Sequence, residues 1–134
     1  MNLSGFKIAA VVGLLACCSC VPRLDRARMA AQEAAAIHRI STIHVAETQY
    51  YSMNNKYAAS LGDLQDLLPQ GLSQGKDGGY IFTVTAKADG YTVTAIPEIV
   101  GGTGKRSFYS DQTLVIRQST TQDQAGPTSP EIPR

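Results

Sequence analysis

The chain has 134 residues, enough for one small domain with flanking ends and too short for two. Its 12 Lys and Arg almost cancel its 11 Asp and Glu, which argues against a strongly electrostatic nucleic-acid binder. Apolar residues make up 43%, so a core can be buried, and the three cysteines fall together at Cys17, Cys18 and Cys20, which excludes a disulfide framework spread over the fold.

The chain opens MNLSGFKIAAVVGLLACCSCVP, and Lys7 is the only charge before Arg23. The uncharged run from Ile8 to Pro22 would span about 22 Å as a helix, short of the roughly 30 Å of a hydrocarbon core. It suits the apolar part of an export signal. Residues 1–16 therefore read as a signal peptide and 17–22 as an anchor segment, which places the protein in the cell envelope, membrane-anchored and extracytoplasmic. Two processing signals overlap. Leu14-Leu15-Ala16-Cys17 resembles a bacterial lipobox, in which Cys17 is lipidated and becomes the new N-terminus. Acyl chains contribute about 0.8 kcal/mol per buried CH₂, so multiple acylation anchors a chain without a spanning helix. Ser4-Gly5-Phe6-Lys7 resembles a prepilin site cut between Gly5 and Phe6. Ala10 stands where prepilins usually carry a glutamate, and the reading favours Cys17. Cys18 and Cys20 read as incidental thiols beside the anchor.

Residues 23–54 carry no Pro and no Gly and are rich in alanine, which predicts one helix of about 45 Å. Pro22 suits its start and Asn54-Asn55-Lys56 its exit. Ile37, Ile40 and Ile43, followed by Tyr50 and Tyr51, form an apolar stripe in its second half. Ile37, Ile40, Ile43 and Tyr51 are the expected helix–sheet packing residues, with Glu47 at the stripe's edge. The first half is mainly alanine and charge, suited to a close helix contact or to a reach toward a membrane. Its start, Arg23, Asp25, Arg26 and Arg28, reads as a solvated helix end. His38 and His44 are six residues apart, about 240° around a helix, so they do not form a zinc pair and no metal site is expected.

Leu61, Leu64, Leu67 and Leu68 suit one or two helical turns ended by Pro69. From Tyr80 the period becomes two. Tyr80–Ala86 and Tyr91–Ile96 read as strands joined at Asp89-Gly90, with Ser107–Tyr109 and Thr113–Arg117 as a further pair. The expected fold class is α+β: a long N-terminal helix on a three- to four-stranded antiparallel sheet, over residues 23–117. Gly101-Gly102-Thr103-Gly104-Lys105 suggests a phosphate loop, but that loop needs a glycine at Ile99, a hydroxyl residue at Arg106 and a helix next, so it reads as a turn. Residues 118–134, rich in Gln, Thr, Ser and Pro, read as a disordered tail. No catalytic triad, Cys/His pair or paired-carboxylate signature stands out, and neither an enzyme activity nor a cofactor is expected.

VPRLDRARMAAQEAAAIHRISTIHVAETQYYS resembles the helix that follows the membrane segment in type IV pilins and type II secretion pseudopilins, and GKRSFYSDQTLVIRQ resembles the last hairpin of a group of pilin-like proteins. The resemblance covers about residues 21–118. It implies a helix packed on an antiparallel sheet, partners among pilin or secretion-system subunits, and no catalysis. Binding of a ligand or glycan through Tyr80, Tyr91, Phe108 and Tyr109 is the alternative from another class; alternation places most of these rings in the core.

Overall fold

The computed structural model describes residues 21–120 and 123–133. In chain order these form helix α1 (Val21–Asn54), a 3₁₀ turn (Leu61–Leu64), a one-turn helix α2 (Gln70–Ser73), and strands β1 (Lys76–Asp77), β2 (Tyr80–Lys87), β3 (Gly90–Pro97), β4 (Ser107–Asp111) and β5 (Arg117–Ser119). The strands pair in sequence order as one antiparallel five-stranded meander. The α+β class is as expected, and the sheet has five strands rather than three or four.

Helix α1 has 34 residues, about 51 Å of rise. Its buried positions are Glu33, Ala36, Ile40, Ile43, His44, Ala46 and Glu47, which by helical spacing share one face. That face lies on the inner side of the sheet. Along β2, Tyr80, Phe82 and Val84 are buried while Ile81, Thr83 and Thr85 are exposed. Opposite them, Phe82 pairs with Ala95 and Val84 with Val93, and Ala95 in turn faces Phe108 of β4. Leu61, Leu64, Leu68 and Leu72 close the core from the connecting segment. Pro69 does more than end the first turns: it precedes α2, and its carbonyl accepts from the Ser73 N–H.

Several boundaries move. The β2–β3 register pairs Lys87 with Gly90, so the two-residue connection is Ala88-Asp89, with Gly90 opening the return strand. The strand expected at Thr113–Arg117 begins only at Arg117. The Thr113 N–H donates to Asp111 Oδ1 and the Leu114 N–H to the Asp111 carbonyl, which closes a turn. Leu114 then takes a left-handed φ of 65°, and the extended chain is interrupted there. The Gly101–Lys105 segment is a turn: Gly101 takes a left-handed φ of 80°, and at Gly104 a Cβ would collide with the Tyr80 hydroxyl.

The expectation of a disordered tail is corrected for residues 123–133. The Gln118 N–H donates to the Pro130 carbonyl, the Ile132 N–H donates to the Ile116 carbonyl, and Arg117 bridges to Glu131. Pro130 has no N–H, yet it faces the sheet edge with its acceptor, so its composition is no obstacle to pairing there. The Ser107 hydroxyl meanwhile accepts from the Ala125 N–H, and Ala125 is buried.

Candidate functional site

The buried face of α1 carries polar side chains as well as apolar ones, and each is tied to a different part of the sheet or of the loop that follows the helix. Glu33 comes first. Its Oε1 accepts from the Lys105 and Arg106 backbone N–H groups at 2.8 and 3.2 Å, and its Oε2 lies 2.7 Å from Arg106 Nε. Burial alone would raise the Glu33 carboxyl, but these hydrogen bonds and the Arg106 charge outweigh it and hold it below its ordinary value. Arg106 also donates to Gln118 Oε1 at 2.7 Å and lies over the Phe108 ring, 5.4 Å from its centroid. The tie thus joins α1 to β4 and β5. One turn and a half later, Arg39 grips Asp77 of β1, with Nη2 donating at 3.0 Å and Nε 2.6 Å from the second carboxylate oxygen.

His44 is buried against the sheet centre. Its Nδ1 is 2.5 Å from the Tyr91 hydroxyl and its Nε2 is 2.7 Å from Ser110 Oγ. The Ser110 hydroxyl donates its one proton to the Val115 carbonyl at 2.9 Å. The network therefore assigns the tautomer: Nε2–H donates to Ser110, and Nδ1 accepts from Tyr91. This neutral imidazole agrees with a pKa lowered by burial, against the opposing pull of Asp111. Both ring nitrogens are occupied, so His44 has no free position for acid–base work. His38, six residues away, is exposed.

Glu47 is fully buried, not at the edge of the stripe as expected. Its Oε2 accepts from the Ala58 N–H at 2.9 Å, and its Oε1 has no hydrogen-bond partner among the described residues. Burial pushes the carboxyl up to about 7; the Ala58 hydrogen bond opposes this and the Asp63 charge adds to it. The physical result is a carboxyl that clamps the chain leaving α1 back onto the helix.

That clamp shapes one end of the molecule. Asn55, at φ 53°, ends α1 and donates its N–H to the Tyr51 carbonyl. The chain reverses through Tyr57 and is held by Glu47 at Ala58 and by Asp63, which accepts from the Ala59 N–H at 3.1 Å. Between this loop, the end of α1 and the β2–β3 turn lies a cleft of about 580 Å³, walled by Tyr50, Tyr51, Tyr57, Lys56, Asp63 and the 86–89 segment. Three tyrosines run from its surface into the core. The Tyr51 and Tyr57 centroids are 4.7 Å apart, those of Tyr57 and Tyr91 are 4.8 Å apart, and Tyr91 ends on His44.

Of the packing residues expected from sequence, Ile40 and Ile43 are fully buried and Ile37 is half-buried against the core. Tyr51 is corrected: it is 45% exposed, because the stripe has turned off the sheet by the last helical turn and the ring rests on Tyr57 instead. Tyr80, Tyr91, Phe108 and Tyr109 are all buried, so they offer no ligand surface. Cys17, Gly5 and Phe6 lie outside the described residues. Glu33, His44 and Glu47 were missed as ties, although they fall on the same helical spacing as Ile40 and Ala36, and that coincidence was the available signal.

Among the described residues, no His, Cys, Asp or Glu group could hold a metal ion, and no helix is long and apolar enough to cross a membrane. The chain matches no protein-family model, no curated protein and no solved structure.

Proposed function

We propose that the protein is a non-enzymatic, envelope-anchored structural or interaction protein of the pilin-like kind, serving a type IV pilus or a type II secretion system. The observation that carries this reading is the division of α1. From Pro22 to Arg28 every residue is exposed, so about the first fifth of the helix stands clear of its own sheet. That portion follows directly on the apolar, cysteine-containing sequence of residues 1–20. A helix exposed on all sides and next to an anchor suits contact with neighbouring subunits or a membrane surface. The polar groups of the rear half serve to hold helix and sheet together, which favours a scaffold over a catalyst.

The mature N-terminus tests this reading. Mass spectrometry of the protein from the membrane fraction is expected to find Cys17 at the N-terminus and acylated. A chain beginning at Phe6 would instead make it a filament subunit cut after Gly5. Recovery from the soluble fraction with Met1 in place would defeat both forms.

A further inference from the structure

We infer that the cleft at the C-terminal end of α1 is a binding site for a neutral oligosaccharide, with the Tyr51 ring as its stacking platform. The volume, about 580 Å³, falls within the roughly 300–1,000 Å³ of small-molecule sites. The chemistry of the wall narrows the ligand class. Lys56 and Lys87 balance Asp63 and Asp89, so the lining carries no formal net charge and gives no preference to a phosphate or to a cation. These charged groups and Asn55 make the wall too polar for a lipid chain or another wholly apolar ligand. What remains is an exposed aromatic face ringed by donors and acceptors. A sugar ring presents an apolar C–H face for the one and hydroxyl groups for the other.

The platform is also held in place before any ligand arrives. Tyr51 is 45% exposed and is backed by Tyr57, which is backed by buried Tyr91, whose hydroxyl is fixed by His44. The loop carrying Tyr57 is clamped by Glu47 at Ala58 and by Asp63 at Ala59. Little side-chain or loop freedom is left to lose on binding, which favours affinity in a shallow site. The inference depends neither on how the N-terminus is processed nor on any assembly.

The test is an amide NMR titration of the full chain in a sugar-free detergent, with chitotetraose, cellotetraose and maltotetraose as neutral probes and with a sulfated disaccharide and phosphocholine as charged ones. Support would be saturable shifts confined to residues 50–63 and 86–89 with at least one neutral tetrasaccharide, unchanged when salt is raised to about 0.5 M. Tyr51→Ala, a change at an exposed ring, is expected to weaken that binding about tenfold or more while leaving the remaining amide spectrum in place. Lys87→Ala provides a second, milder variant that removes one rim hydrogen-bond donor and is expected to weaken binding two- to fivefold. The inference is overturned by an absence of shifts with every neutral probe at roughly 10 mM. It is equally overturned by binding of a charged probe alone, by shifts elsewhere on the surface, or by Tyr51→Ala binding as tightly as the parent.

Discussion

The two parts of α1 belong to one continuous helix but are held in different ways. The rear part, from Glu33 on, is gripped by Ile40 and Ile43 in the core and by four polar ties, at Glu33, Arg39, His44 and Glu47. The front part, Pro22 to Gln32, has no buried residue, and Leu24 is 67% exposed. Helicity in the front therefore rests on propensity, supplied by its alanines, and on continuity with the rear. A helix can be long because its sequence is permissive, yet be stable only where something packs on it.

The sharpest way to break this comparison is Ile40→Asp, which places an unpaired charge at a fully buried position and is expected to cost several kcal/mol. A parent-like melting temperature would mean that the rear face is not gripped as described. Glu33→Ala comes next. It strands the Lys105 and Arg106 N–H groups and removes the carboxylate from a partly buried guanidinium, at about 2 kcal/mol at neutral pH. Because the folded carboxyl lies below its unfolded value, its contribution is present above the ordinary carboxylate range and fades as pH falls through the folded value. Chemical denaturation of parent and variant at neutral and acid pH measures both statements.

Glu47 runs the other way. Its folded value of about 7 exceeds the ordinary 4.5, so the folded state holds the proton more tightly. The stability this gives is complete below about pH 4.5 and is lost as pH rises through 7. Glu47→Gln keeps the acceptor for Ala58 and removes the ionisation. The variant is expected to match the parent near pH 4.5 and to exceed it by about 1–2 kcal/mol at pH 8, the buried amide N–H groups offsetting part of the gain. His44 acts oppositely in a neighbouring range: its lowered pKa favours the neutral ring, so its contribution is present above the ordinary 6.5 and is lost on acidification. Measuring the difference between parent and Glu47→Gln cancels that second titration.

The smallest effects sharpen the comparison from the other side. Leu114→Asn is expected to stabilise the fold by about 0.5 kcal/mol, since Leu114 is 59% exposed in a left-handed conformation that asparagine tolerates better. Leu24→Asp is expected to change the stability of the sheet-packed domain by less than about 0.5 kcal/mol. In hydrogen exchange the amides of residues 24–30 are expected to exchange far faster than those of residues 40–46. Equal protection along the helix would mean that something covers the front.

Much of the architecture could be read from local pattern. Ile40 and Ile43 declare the buried helix face by spacing, and Tyr80, Phe82 and Val84 declare the inner sheet face by alternation. The tail was misread because composition weighs a segment's own resources, whereas residues 130–132 are ordered by the edge of β5 that they meet. Tyr51 was misread because a stripe drawn along a straight helix does not say where the sheet ends.

The sequence by itself determined the helix, the central strands β2 and β3, and the inward side of each, because these follow from periodicities repeated every two to four residues. Only the tertiary structure decided that Glu33 meets Arg106, that His44 meets Tyr91 and Ser110, and that Glu47 clamps the loop beside a tyrosine-walled cleft. Those partners lie 11 to 73 positions apart along the chain. A buried polar group must find its complement wherever folding brings one, and no local period encodes that distance.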